Sequence, residues 1–186
     1  MTLVPSPEVP SPDRPTALPA LTLVLGGARS GKSVYAESLL AGRPEAVYLA
    51  TAQAGDGEMA ERIARHQARR GERWQTVEEP LDLAGALARH NGRPVLVDCL
   101  TLWLSNLLLA EATVESAIDQ LAASLPSLTG PVVFVANEVG LGIVPDNPLA
   151  RAFRDHAGRL NQAVAAAAQR VVFVAAGLPL LLKGAS

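Results

Sequence analysis

A glycine-rich octapeptide near the start of the chain constrains the fold more than any other segment. Residues 26–33 fit the pattern G-x-x-x-x-G-K-[ST]; an apolar run at 21–25 predicts a buried strand before it, and residues 34–40 predict a helix after it. In that setting, backbone amides and the helix N-terminus surround phosphate oxygens. A chance glycine-rich turn would not explain the lysine, the serine and both flanking elements together. We predict that the chain binds a nucleoside triphosphate.

Each position of this phosphate loop has an expected role. Lys32 is expected to reach the β- and γ-phosphates as a catalytic group, and Ser33 to ligate Mg²⁺. The whole loop is predicted to contact the nucleotide: Gly26, Gly27, Ala28, Arg29, Ser30, Gly31, Lys32 and Ser33.

Apolar runs and helical stretches alternate beyond residue 20. Near-continuous apolar runs predict strands covered on both faces, at Leu21–Leu25, Ala46–Ala50, Pro94–Asp98, Val132–Ala136 and Val171–Ala175. Helices are predicted at about 32–41, 57–70, 80–90, 113–125 and 149–169. This alternation predicts an α/β fold with a mainly parallel central sheet flanked by helices.

Length and composition narrow the classes of protein. The 186 residues suggest one domain, 20–186, behind a proline-rich tail at 1–19 that is predicted to be disordered. A net charge of −2 argues against a nucleic-acid-binding surface. The single cysteine is typical of a reducing cytoplasm, and we predict neither a secretory signal nor a membrane span.

Ligands of parallel sheets bind where the strands end, which predicts one functional edge containing Gly26, Thr51, Asp98 and Asn137. Asp98 is either a magnesium or nucleotide ligand or a simple helix cap. Cys99 is predicted to be a core residue and not a nucleophile.

A charged stretch at 56–70 follows the second predicted strand. As a helix it is either a solvated, salt-bridged element or a triphosphate-binding one, because it contains Arg62, Arg65, His66, Arg69 and Arg70. Neutral imidazole is a good nucleophile, so His66 is a candidate to attack phosphorus.

Further along the chain, Trp74 either stacks a base or packs on a helix, and Glu78 or Glu79 could cap a helix that begins at Pro80. The loop 137–145 follows a predicted strand and is predicted to have a defined conformation at the functional edge. Glu138 stands where the guanine-reading motif of switch GTPases has lysine, which argues against that class of protein. His90 and His156 are predicted to be structural or surface residues.

An ordered set of segments resembles one known family, the bifunctional adenosylcobinamide kinase / adenosylcobinamide-phosphate guanylyltransferases of cobalamin biosynthesis. The matching segments are 26–33, 48–52, Glu58-Met59 with Arg62-Ile63 and His66, 74–78, 98–106, 137–145, and 149–155 with Gly158 and Asn161-Gln162. They cover about residues 21–184. The first twenty residues extend beyond the usual start of the family, and Arg65 stands where some relatives have a second histidine.

The resemblance implies two reactions. ATP or GTP phosphorylates the aminopropanol hydroxyl of adenosylcobinamide, and GTP then transfers GMP to that phosphate through a GMP–histidine intermediate on His66, releasing pyrophosphate. It further implies a RecA-like fold, a homotrimer, Mg²⁺ on Ser33 and Asp98, and nucleotide contacts from Ala50, Thr51, Ala52, Gln67, Ala68, Arg69, Arg70, Glu78 and Asp98.

Two other functions stay open from the residues alone. One is a monofunctional phosphate-loop kinase of a small molecule, which would form no covalent nucleotide. The other is a RecA-like regulatory ATPase module, which would hydrolyse nucleotide without a corrinoid acceptor.

Overall fold

One seven-stranded sheet organises the part of the chain that the computed structural model describes, residues 18–52 and 74–184. The strands are β1 (Leu21–Gly26), β2 (Val47–Ala50), β3 (Gln75–Glu78), β4 (Val95–Asp98), β5 (Val132–Asn137), β6 (Arg170–Ala175) and β7 (Leu178–Lys183). Their order across the sheet is β3-β2-β4-β5-β1-β6-β7. The pairs from β3 to β6 are parallel, and β7 pairs with β6 in the antiparallel direction.

Helices cover both faces of this sheet. They are α1 (Lys32–Leu39), α2 (Leu83–Arg89), α3 (Leu100–Leu109), α4 (Val114–Ser124) and α5 (Pro148–Ala167), and a 3₁₀ turn, Leu125–Ser127, follows α4. Successive strand residues point to opposite faces, so neighbours such as Leu23 and Val24 enter different cores. Leu23 lies in the larger cluster with residues of α2 to α5, and Val24 lies in the smaller cluster with Ala36 of α1.

The five predicted strands are confirmed within a residue or two at their ends. Two further strands were missed, and both lie at the borders of the sheet. β3 is short and mostly exposed, and β7 is a largely exposed strand that contains Pro179. β3, with the sequence QTVE, lacks the apolar run that marks a central strand. β7, LPLLLK, is apolar, but Pro179 in a segment argues against a strand unless that strand lies at a border of the sheet, where proline is tolerated.

The helix predictions need two corrections. α3 was missed because its sequence, LTLWLSNLLL, is apolar on nearly every side and shows no helical period. The helix predicted from residue 80 begins at Leu83, and its cap is Asp82, whose side chain accepts from the Gly85 amide. Neither predicted glutamate caps it: Glu79 accepts from the Leu81 and Asp82 amides of the preceding turn.

Two predictions concern residues that are outside the described ranges. The helix predicted at 57–70 is one, and most of the predicted tail, 1–17, is the other. Leu18, at the end of that tail, is partly buried against the smaller cluster.

Candidate functional site

The phosphate loop connects β1 to α1 in the middle of the sheet, between β5 and β6. Two of its glycines are required by geometry. Gly31 has φ +94°, a left-handed conformation that favours glycine. A Cβ on Gly26 would lie 2.5 Å from the Val174 carbonyl oxygen and 2.6 Å from Ser30 Oγ. The chain can therefore turn sharply at the end of β1 only with these residue types.

Hydrogen bonds fix the loop in this turn. Lys32 Nζ donates to the Gly27 carbonyl at 3.1 Å, and the Ser30 amide donates to the same carbonyl at 3.3 Å. The Ser30 carbonyl accepts from the Gly177 amide at 2.8 Å, which ties the loop to the turn between β6 and β7. Ser30 Oγ is buried and has no hydrogen-bond partner among the described residues.

Asp98 ends β4 at the same edge of the sheet. Tyr48, on the neighbouring strand β2, donates a hydrogen bond from its hydroxyl to the Asp98 carboxylate.

Cys99, which follows Asp98, is only 6% exposed and packs in the smaller cluster, which confirms it as a core residue. Burial and the Asp98 charge raise the pKa of the Cys99 thiol to about 11, while the Lys32 charge acts in the opposite direction. Cys99 is therefore a protonated thiol at neutral pH.

Thr51 links the ends of β2 and β4. Its hydroxyl donates to the Cys99 carbonyl at 2.8 Å and accepts from the Cys99 amide at 2.9 Å. The Thr51 amide also donates to the Asp98 carbonyl at 3.2 Å. Asn106 of α3 then donates to the Thr51 carbonyl at 2.7 Å. Fully buried Thr51 thus holds two strand ends in register at the functional edge.

Asn137 ends β5 directly beside Gly26 of β1. Its amide donates to Thr101 Oγ1 at 2.7 Å, and its carbonyl accepts from Asn161 of α5 at 3.3 Å. The Asn137 Oδ1 atom is buried and has no partner among the described residues. Glu138 follows, and its amide donates to the Gly26 carbonyl at 3.2 Å, so the loop after β5 is bonded to the start of the phosphate loop.

That loop, residues 138–147 between β5 and α5, exposes an unusual amount of aliphatic surface. Leu141 is 82% exposed and Ile143 97%, Val144 is also exposed, and so is Leu149 in the first turn of α5. Scattered apolar residues are common on protein surfaces, but a run of them at one loop indicates a contact surface.

The structure brings the predicted edge together. Gly26 pairs with Asn137, and Ala50 pairs with Asp98. Thr51, which follows Ala50, hydrogen-bonds to both Asp98 and Cys99. All four predicted edge residues therefore lie at the carboxyl ends of the parallel strands. Glu78 lies opposite Ala50 at the end of β3, with its side chain exposed. The other predicted residues, His66, Gln67, Ala68, Arg69 and Arg70, are in the part of the chain left undescribed.

Three further aromatic or imidazole side chains, Trp74, His90 and His156, lie within the described residues. Trp74 precedes β3, packs edge-on against Tyr48 with 5.8 Å between the ring centroids, and is partly buried against the smaller cluster. Trp74 therefore has packing contacts within the protein. His90 caps the C-terminal end of α2, where burial and Arg93 and Arg89 lower its pKa. His156 Nε2 is 3.8 Å from the Glu115 carboxylate.

Sequence reasoning assigned no role to Tyr48, Thr101 or Asn106, all of which bond to the edge residues. Their signal in the sequence is weak. Thr101 and Asn106 are polar residues inside the apolar run of α3, and a polar residue in such a run needs a partner. The role of Tyr48 cannot be predicted without knowing that β2 lies beside β4.

Within residues 18–52 and 74–184, no group of three or more His, Cys, Asp or Glu side chains is arranged to hold a metal ion. No helix in these ranges has the length and hydropathy needed to cross a membrane.

Comparison with known proteins decides the family. The family model described as cobinamide kinase / cobinamide phosphate guanyltransferase matches residues 22–182. The chain belongs to this family. It is therefore a transferase of cobalamin biosynthesis, and the sequence resemblance is confirmed.

Curated relatives agree with this assignment. A Pseudomonas aeruginosa protein named bifunctional adenosylcobalamin biosynthesis protein CobP is 53% identical over 167 residues, which cover 87% of this chain and 96% of that protein. The Salmonella typhimurium protein of the same description, CobU, is 42% identical over 180 residues, with 88% and 99% coverage.

Solved structures confirm the fold class at much lower identity. An ATPase from a bacterial type III secretion system shares 12% identity over 87% of this chain and 56% of its own, with a TM-score of 0.54. A Pyrococcus horikoshii protein, PH0250, shares 9% identity over 90% and 87% of the two chains, with a TM-score of 0.55. The RecA-like phosphate-loop fold predicted from the sequence is confirmed.

Proposed function

We propose that this chain catalyses two successive reactions on adenosylcobinamide, first as a kinase with ATP or GTP and then as a guanylyltransferase with GTP. The observation that supports this most is the joining of the phosphate loop, Asp98 and the loop after β5 along one sheet edge. A nucleotide bound by the phosphate loop would have its reacting phosphates beside the loop after β5, where an acceptor could bind.

In the kinase step, Lys32 neutralises charge that develops on the transferred phosphoryl group, and the loop amides orient the phosphates. The acceptor hydroxyl attacks the γ-phosphorus: its O–P bond forms, the bond to the leaving nucleoside diphosphate breaks, and the hydroxyl proton is released to water. Ser30 Oγ, a buried donor with no described partner, supports the presence of a further acceptor such as a phosphate oxygen.

Mg²⁺ fits the donor set of this edge. Ser33 and Asp98 offer oxygen ligands, which hard divalent cations prefer, and the Tyr48 hydroxyl orients the Asp98 carboxylate. When bound, the ion would neutralise charge on the β- and γ-phosphates. The Tyr48 contact would then act indirectly, by fixing which way the Asp98 oxygens point.

In the guanylyl step, His66 is the nucleophile. Its imidazole nitrogen attacks the α-phosphorus of GTP, so that an N–P bond forms and the P–O bond to pyrophosphate breaks. A phosphate oxygen of adenosylcobinamide phosphate then attacks the same phosphorus, and the N–P bond breaks to give adenosylcobinamide-GDP. Arg62, Arg69 or Arg70 would neutralise the triphosphate. This step rests on family membership and on residue chemistry.

The loop 138–147 is the proposed contact surface for the corrinoid. Its Glu138 amide bonds to Gly26, so it borders the phosphate loop, and its aliphatic side chains are exposed. A corrin macrocycle is a large ligand with much apolar surface, and contact with Leu141 and Ile143 would bury that surface.

Product analysis tests the two-step function. Adenosylcobinamide and ATP should give the phosphate ester, and added GTP should convert it to the GDP derivative with release of pyrophosphate, both followed by mass spectrometry. A monofunctional kinase would stop at the phosphate ester, and a regulatory ATPase would release inorganic phosphate whether or not the acceptor is present.

We also propose the homotrimer and the cytoplasmic location that the family resemblance implies. Sedimentation equilibrium should give three times the 19.4 kDa mass of one chain. A monomer or dimer mass would contradict the trimer.

A further inference from the structure

One buried carboxamide oxygen at the functional edge lacks a donor among the described residues. It is Oδ1 of Asn137, the last residue of β5. A buried oxygen without a donor is unfavourable, and native structures retain few of them. Because a carboxamide oxygen can only accept, the group that satisfies it must bring an N–H or O–H bond.

The side chain of Asn137 lies on the face of the sheet that α1 covers. Successive side chains of a strand alternate between the two faces. Val135 of β5 packs in the smaller cluster with Ala36 of α1, and Asn137 is two residues further along the strand. The Asn137 carboxamide is therefore on the same face as α1, the helix into which the phosphate loop leads.

Asn137 also lies between two groups that are expected to act on the phosphates. On one side, Gly26 at the start of the phosphate loop pairs with Asn137. On the other side, Asp98 of β4 pairs with Val135 and follows Leu96 of the smaller cluster by two residues, so its carboxylate is on the same face. Neighbouring strands are about 4.8 Å apart. The Asn137 carboxamide is thus next to the place expected for the γ-phosphate.

The backbone of Asn137 is held independently of its side chain. Its amide donates to Thr101 Oγ1 at 2.7 Å, and its carbonyl accepts from Asn161 at 3.3 Å. The next amide, that of Glu138, donates to the Gly26 carbonyl at 3.2 Å. The carboxamide is therefore fixed in place before any ligand binds, and its removal would break none of these bonds.

The kinase step brings a donor of the required kind. Ionised phosphate oxygens are acceptors and cannot satisfy another acceptor. The attacking hydroxyl has one O–H bond, and its oxygen must face the γ-phosphorus for the transfer to occur. A hydrogen bond from this hydroxyl to Asn137 Oδ1 would satisfy the buried oxygen and fix the direction of attack.

We propose that Asn137 is a catalytic residue of the kinase step, in which Oδ1 accepts a hydrogen bond from the acceptor hydroxyl and orients the hydroxyl oxygen toward the γ-phosphorus. The inference rests on the proposed kinase function. A carboxamide is too weak a base to take the proton, which is released to water as the O–P bond forms and the bond to the nucleoside diphosphate breaks. The second reaction has no such hydroxyl, because its attacking group is an ionised phosphate.

The test uses the full-length chain with Asn137→Ala, and with Asn137→Ser as a second variant whose shorter side chain does not reach the Oδ1 position. The matched control is Asn91→Ala. The Asn91 carboxamide bonds to the Ser127 carbonyl and the Thr129 amide, and it lies before the amino end of β4, away from the functional edge. Four quantities are measured: kcat and the KM for ATP in the kinase step, the rate of guanylyl transfer to supplied adenosylcobinamide phosphate, and the Tm.

We expect the kinase kcat of both Asn137 variants to fall by about tenfold to a hundredfold, as when a contact that orients a reacting group is lost. The KM for ATP and the guanylyl-transfer rate should stay at their wild-type values. The Tm of Asn137→Ala should not fall, because Oδ1 has no described hydrogen bond to lose and an unpaired buried oxygen is removed. Asn91→Ala should match wild type in both reactions.

A kinase kcat at the wild-type value in a folded Asn137 variant would overturn the inference. Equal losses of the two activities would also overturn it, as would a raised KM for ATP with kcat unchanged, since Asn137 would then act on the shared fold or on the nucleotide. A wild-type chain that does not phosphorylate adenosylcobinamide would instead contradict the proposed kinase function, and the inference would fail with it.

Discussion

Lys32 Nζ donates a hydrogen bond to the carbonyl oxygen of Gly27, with 3.1 Å between the two atoms. The bond brings the ammonium group back across the loop whose amides are expected to surround phosphate. A cation held in this way needs no rearrangement when negative charge develops on a transferred phosphoryl group.

Lys32→Ala should therefore lower kcat/KM of the kinase step by at least about a hundredfold, the usual effect of removing a preorganised electrostatic group. Steady-state kinetics with ATP and adenosylcobinamide measure this. Lys183→Ala is the matched control, since Lys183 also donates to carbonyls, those of Ala165 and Ala166, but pairs with Val171 near the start of β6. Equal activity of the two variants would contradict a catalytic role for Lys32.

Tyr48→Phe should raise the Mg²⁺ concentration that gives half-maximal kinase activity by roughly tenfold, because a hydrogen bond to a charged group contributes about 1.5–3 kcal/mol. The ring and its packing on Trp74 are kept, so the variant should fold, with the stability lost that the missing hydrogen bond contributed. Titration of activity with Mg²⁺ measures the effect, and Tyr35→Phe on α1 is the control. An unchanged Mg²⁺ dependence would argue against Asp98 as a metal ligand.

The phosphate loop, the Tyr48–Asp98 contact and Asn106 differ in how well the sequence predicts them. The phosphate loop was predictable because its chemistry lies in eight consecutive residues between a strand and a helix. The sheet edge was predictable because parallel strands end on the same side. The Tyr48–Asp98 contact was not, since it depends on β2 lying beside β4, which one sequence does not show. Asn106 was missed because it lies in α3, an apolar helix whose sequence has no helical period. β3 and β7 were missed as strands because they are exposed and lie at the borders of the sheet.

The double variant Leu141→Ser with Ile143→Ser should raise KM for the corrinoid about tenfold, as expected when roughly 1–2 kcal/mol of apolar burial is lost. KM for ATP should not change, because neither side chain belongs to the phosphate loop. Leu109→Ser is a matched control, since Leu109 is as exposed as Leu141, at 82%, but ends α3. An equal rise in both KM values, or loss of the oligomer without a change in the corrinoid KM, would contradict the proposed surface.

Cys99 should make the fold sensitive to alkaline pH. Its pKa is raised from 9.0 to about 11, so between these values the folded chain keeps a proton that the unfolded chain releases, and stability falls as pH rises. The loss should be roughly 1 kcal/mol per pH unit across that window. Urea unfolding at pH 8 and pH 10 should show this loss in wild type but not in Cys99→Ala. Parallel pH dependence of the two proteins would show that the thiol titrates normally.

The identity of the nucleophile is the central claim, and labelling by GTP with a radioactive α-phosphate tests it most directly. The account predicts acid-labile, base-stable label on the wild-type chain, located on the peptide that contains His66, and no label on His66→Ala. The kinase activity of His66→Ala should remain, which shows that the variant is folded. Label retained on His66→Ala would contradict the account.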